Sequence, residues 1–141
     1  MKDFQIIIVL LSLITFIDGL TQKITVTGKL LCNKFPLKNV KIKLMEEDVM
    51  YDDLMAEGVT DENGYFSITG ETVEYTAIEP YIEFKHKCPE YEEDSVEDRK
   101  FLYVPDSVFR YLGYTREFKF NFDEIDLIRI RERASWSFFL N

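Results

Sequence analysis

The reactive inventory of this 141-residue chain is one histidine, two cysteines and a surplus of carboxylates. His86 and Cys88 lie two residues apart, which on a strand puts both side chains on one face, as a thiol nucleophile and its base would require. Asp61-Glu62-Asn63-Gly64 offers oxygen ligands for a cation, and Glu90, Glu92, Glu93, Asp94, Glu97 and Asp98 form a looser acidic set. Each has a plainer reading. His86 suits a structural hydrogen-bonding role, and an oxidising compartment would consume the Cys88 thiol. Asn-Gly marks a turn, and the tetrapeptide lacks the twelve-residue spacing and terminal bidentate Glu of an EF-hand. The second acidic set reads as a solubilising loop that could hold calcium weakly or meet a basic partner. A Ser-His-Asp triad would have to use His86, and there is no Gly-x-Ser-x-Gly elbow, phosphate loop or Asn-x-Ser/Thr sequon. One His and two Cys do not make a zinc site. The expectation is no catalytic residue, no metal and no cofactor.

The compartment follows from the N-terminus. Lys2, an apolar run from Ile6 to Ile17, and then Asp18 and Gly19 read as a secretory signal peptide over residues 1–19. The run is shorter than the ~20 residues of a spanning helix. The remainder, residues 20–141, is about 120 residues and suits one domain with its own core. Removing Lys2, Asp3 and Asp18 with the leader takes the net charge from −9 to −8, which argues against nucleic acid and against electrostatic binding to anionic lipid. Calcium-bridged or apolar membrane contact stays open. For Cys32 and Cys88, an oxidising compartment favours a disulfide, with two free or intermolecular thiols as the alternative.

The elements that must position these residues are strands. Ile24, Val26, Gly28, Leu30 and Cys32 alternate with polar neighbours in a first strand, and Val40, Ile42 and Leu44 alternate with Lys41 and Lys43 in a second. Residues 46–53 read as a solvated acidic loop. Leu54 to Thr60 and Tyr65 to Thr69 flank the Asp61–Gly64 turn as a hairpin. Ala77 to Cys88 is expected as the longest strand, with Ile82, Phe84, His86 and Cys88 on one face and Pro80 marking an edge or a bulge. Lys100 to Val104 forms a short strand, and Asp106 to Leu112 a helical turn capped by Asp106 or Ser107. Glu117 to Phe122 and Ile125 to Ile130 close the domain as two strands around Asp123 and Glu124. About eight short strands without an internal repeat predict an all-β, two-sheet sandwich.

Particular residues carry a narrower resemblance. They are Gly28-Lys29-Leu30-Leu31-Cys32, Val40 to Leu44, Asp52 to Gly58, Thr60-Asp61-Glu62-Asn63-Gly64-Tyr65-Phe66, Gly70 with Glu74, Ile78-Glu79-Pro80-Tyr81, His86-Lys87-Cys88, Arg99-Lys100 and Val104-Pro105-Asp106. In this order and spacing the chain resembles the nematode transthyretin-like family of secreted proteins, from Val26 to Ile130. The resemblance implies an extracellular transthyretin-like (prealbumin-like) sandwich. Its topology would bring the strand ending at Cys88 back, antiparallel to the second strand, to the place where Cys32 ends the first. Glu97 and Asp98 stand where many relatives carry another cysteine, and the C-terminus lacks one too. The tail, residues 132–141, is unlike the family and holds Trp136, Phe138 and Phe139 as candidates for packing or for contact with a partner. Hydroxyisourate hydrolases share the superfamily, but their likeness would imply several His and Arg residues and a Tyr-Arg-Gly-Ser-like terminus, whereas this chain has one His and ends Phe-Phe-Leu-Asn.

The expected function is that of a secreted, non-enzymatic protein binding a small apolar ligand, a lipid or an extracellular protein surface. Glu92, Glu93, Asp94, Trp136, Phe138 and Phe139 are its candidate contacts. A calcium-dependent membrane-surface binder and a hydrolase using His86 or Cys88 are the alternatives. Nothing in the sequence sets the oligomeric state.

Overall fold

The computed structural model describes residues 20–86, 88, 98–109 and 116–129. Eight strands lie among them: β1 (Leu20–Cys32), β2 (Phe35–Pro36), β3 (Lys41–Glu46), β4 (Asp53–Val59), β5 (Tyr65–Glu74), β6 (Pro80–His86), β7 (Asp98–Tyr103) and β8 (Glu117–Asp126). One sheet sets β1 between antiparallel β5 and parallel β8, with β2 folded back on the end of β1. The other runs β4-β3-β6-β7, all antiparallel. This is the expected two-sheet sandwich. Alternation fills the space between the sheets: Ile24, Val26 and Leu30 of β1 meet Ile42 and Leu44 of β3 and Ile82 and Phe84 of β6, all almost fully buried. The sheets approach closely where side chains are missing. A Cβ on Gly70 would sit 2.7 Å from the Met55 Cβ, and one on Gly58 2.8 Å from Ile68.

Several sequence expectations are corrected. The Asp61–Gly64 turn forms, with the Asp61 carboxylate accepting the N–H groups of Asn63 and Tyr65 and Gly64 at φ 79°. Its two strands are not one hairpin ladder, however, because β4 belongs to one sheet and β5 to the other, so the turn is a corner between sheets. The longest strand is β1, 13 residues, not the one preceding Cys88, because the 75–79 connection crosses the end of the sandwich and pairing starts only at Pro80. Pro80 is the first residue of an interior strand, where its missing donor costs no central ladder bond. The two closing strands are one, β8. Asp123, at φ 56°, absorbs an extra residue where β8 slips against Thr27 and Lys29, so a bulge stands where a turn was expected. Helical backbone over 127–129 replaces the second strand's continuation.

Of the expected helical turn the described part is a 3₁₀ segment, Asp106–Val108, whose N-cap is Pro105 without a side-chain bond rather than Asp106 or Ser107, and residues 110–112 lie outside the described residues. Asn33 and Lys34, both at positive φ, make a tight β1–β2 turn unforeseen in the sequence. The buried Asp126 carboxylate at the end of β8 accepts both of their N–H groups, at 3.0 and 2.9 Å.

Candidate interaction surface

Cys32 and Cys88 form a disulfide, with Cα atoms 5.8 Å apart. Because β6 runs antiparallel to β3, its C-terminal end returns to the end of β1, the return that the resemblance implied. The Cys88 sulfur is thereby committed, and a thiol–histidine pair with His86 is removed. One oxygen of the Asp61 carboxylate accepts two N–H groups of its own turn, so the tetrapeptide forms the turn that Asn-Gly marks. Among the described residues no three His, Cys, Asp or Glu side chains converge as a metal would need. The candidate contacts Glu92, Glu93, Asp94, Trp136, Phe138 and Phe139, and the leader over residues 1–19, lie outside the described residues.

A different surface stands out on the outer face of the β4-β3-β6-β7 sheet. Register places Leu54, Met45, Tyr81 and Tyr103 side by side across the four strands. Phe101 joins them, its ring edge-on to Tyr81 at 5.9 Å, while Tyr103 lies tilted against Tyr81 at 5.1 Å. Tyr81 is buried under this cover, and Leu54, Phe101 and Tyr103 are about half exposed. Farther along the same face the rows turn polar, with Lys41 paired to Glu57 at 2.9 Å and Arg99 to Glu83 at 3.1 Å.

The β3–β4 loop, 47–52, leans on the apolar row. Tyr81 donates its hydroxyl to Asp52 at 2.6 Å, and the other oxygen of Asp52 accepts the Asp48 N–H, closing the loop on itself. At the loop's opposite end the Glu47 N–H donates to the Glu79 carbonyl at 3.3 Å, and the Glu47 carboxylate lies close enough to Tyr103 to act on its phenol. Burial, reinforced by these carboxylates, holds both phenols above their ordinary pKa, so they remain donors at any physiological pH. The loop is thus fastened at both ends, at Asp52 by the Tyr81 hydroxyl and at Glu47 by the Glu79 carbonyl. Between these ends Val49, Met50 and Tyr51 stand 104%, 81% and 82% exposed. Three successive large apolar side chains therefore stand outside the core and face solvent.

Beneath the loop lies Glu46, the last residue of β3. Expected in a solvated segment, it is instead almost fully buried. One carboxylate oxygen accepts the Glu79 N–H at 2.9 Å, and the other has no partner. Burial, with Glu74, Asp48 and Glu79 nearby, pushes its pKa up to about 7, against the lowering effect of the Glu79 bond. Alternation explains the position: Ile42, Leu44 and Glu46 share the inward face of β3. Gln22, also buried, donates its amide to the Thr76 carbonyl, so two inward polar side chains hold the 75–79 connection.

On the opposite sheet the β8 bulge opens a shallow concavity of about 480 Å³, lined by Thr27, Gly28, Lys29, Tyr65, Asn121 and Glu124 among others. Its polar groups are largely satisfied among themselves. Lys29 pairs with Glu124 at 3.1 Å and lies 5.3 Å from the Tyr65 ring centroid, and Asn121 bonds Thr27 and Asp123. The clamped loop is the less self-satisfied surface of the two.

The model of the Transthyretin-like family matches residues 27–104. Transthyretin-like protein 46 of Caenorhabditis elegans is 45% identical over 62% of this chain and 49% of its own. Transthyretin-like protein 2 of the same organism is 39% identical over 57% of this chain and 61% of its own, and transthyretin-like protein 5 is 42% identical over 63% and 65%. The chain thus spans about half to two thirds of the length of these relatives. A Cyanothece 9R-lipoxygenase structure overlays 75% of this chain and 16% of its own at TM-score 0.44 and 19% identity, a likeness too loose to add to the sequence relationship.

Proposed function

Since the chain belongs to the transthyretin-like family, we propose that it works outside the cell as a secreted, non-enzymatic binding protein whose contact surface is the outer face of the β4-β3-β6-β7 sheet and the clamped 47–52 loop. The observation that carries this reading is the exposure of Val49, Met50 and Tyr51 on a loop fastened at both ends. Such a surface suits a protein partner or a lipid better than a small molecule, because three apolar side chains stand outward on it side by side rather than lining an enclosed cleft. The family and the disulfide both fit an extracellular protein. The leader read over residues 1–19 supplies the route, and a chain expressed in a secretory host should be recovered with its N-terminus near Leu20.

The test uses purified secreted protein exposed to host extracellular fluid, with bound molecules identified by mass spectrometry. Wild type is compared with a Val49→Ser, Met50→Ser, Tyr51→Ser variant. Partners should be retained by wild type and lost from the variant at unchanged melting temperature. Equal retention by both proteins would move the contact surface elsewhere.

A further inference from the structure

The loop's own composition narrows the partner. Resting on the surface reading above, we propose that the 47–52 loop docks a segment of another protein in which Lys or Arg side chains flank an apolar anchor. Val49, Met50 and Tyr51 supply the bare apolar centre. Glu47, Asp48, Asp52 and Asp53 surround it with carboxylates, and no basic residue lies between Met45 and Met55. The Tyr81 hydroxyl that bonds Asp52 donates a hydrogen bond without neutralising its charge. An apolar centre inside a charged rim has the anatomy of a protein interface, and the sign of the rim selects the partner. A second copy of this chain would bring one acidic collar against another, and an anionic bilayer would be repelled by a molecule whose net charge, −9 with the leader and −8 without it, is strongly negative. The clamps add preorganisation, since the loop does not have to be ordered when the partner arrives.

The proposal is tested by fluorescence anisotropy with two synthetic amphipathic peptides that share one apolar face and differ only in carrying Lys or Glu on the polar face. Wild type should bind the Lys peptide at least about tenfold more tightly than the Glu peptide, and the preference should shrink as salt rises. An Asp48→Asn, Asp53→Asn variant, which leaves the Asp52 clamp in place, should weaken Lys-peptide binding several-fold. A Met50→Ser, Tyr51→Ser variant should lose it. Equal binding of the two peptides, or unchanged binding by either variant, overturns the proposal. Phosphatidylcholine vesicle sedimentation and sedimentation velocity of the protein alone run beside it. Loop-dependent capture by vesicles without peptide binding, or a loop-dependent dimer, also overturns it by assigning the surface to a bilayer or to a second copy. Should the triple-serine loop variant lose its host-fluid partners while the Asp48→Asn, Asp53→Asn variant keeps them, the surface reading survives and only the cationic partner is discarded.

Discussion

Glu46 shows how one side chain can tie pH to stability in this molecule. Its carboxyl has an ordinary value of 4.5 and rises to about 7 on folding, so the folded state holds a proton that the unfolded chain releases. A raised carboxyl favours folding most at acid pH, and that contribution is lost as pH climbs from about 4.5 to about 7. Urea titrations of wild type and Glu46→Gln across this window should therefore diverge, with the variant's advantage growing toward pH 7 to about 2 kcal/mol. Parallel curves would dismiss the buried-proton account. A second residue-scale prediction concerns the clamp. Tyr81→Phe removes the hydroxyl bonded to Asp52 but keeps the ring against Phe101 and Tyr103, so stability should drop by about 1 kcal/mol. Hydrogen exchange should quicken at the Asp48 amide, which depends on the same carboxylate. Neither role was legible in the sequence. Glu46 and Asp52 bound a run of charges that reads as solvated, and only the register of β3 turns one of them inward.

At the scale of elements, the disulfide and the glycines set how the strands close. The Cys32–Cys88 bridge spans a sequence separation of 56, for which loop-entropy reasoning gives about 4 kcal/mol. Cys32→Ala with Cys88→Ala should lower the denaturant midpoint accordingly, with secondary structure by circular dichroism retained, because the core strands pair independently of the bridge. Gly70→Ala should cost about 2 kcal/mol, since its methyl would press on the Met55 Cβ and on Leu44 across the narrowest part of the sandwich. A calorimetric scan showing no loss would mean that the sheets separate there more easily than their contact suggests. Strand existence was largely readable, because period-2 alternation marks β1, β3, β5 and β8 plainly. Strand ends were not, because a turn residue such as Asp123 looks the same whether it reverses the chain or, as here, bulges within one strand paired with β1.

For the molecule as a whole, the acidic charge and the apolar 47–52 loop act together. The Val49→Ser, Met50→Ser, Tyr51→Ser protein should melt with wild type, because exposed side chains contribute little to folding, yet should lose the retained partners. A fallen melting temperature would show that the loop belongs to the fold and not to an interface. The sequence by itself determined the class, the alternation of the core, the acidic character and the kinship with the transthyretin-like family, because these depend on local periodicity and on residues kept in order along the chain. The tertiary structure alone decided which charges are buried, that the Asp61–Gly64 turn joins two sheets, and that Tyr81 holds the Asp52 end of the 47–52 loop. Those facts depend on register between strands distant in sequence. A shift of one residue would turn the same side chains to the other face.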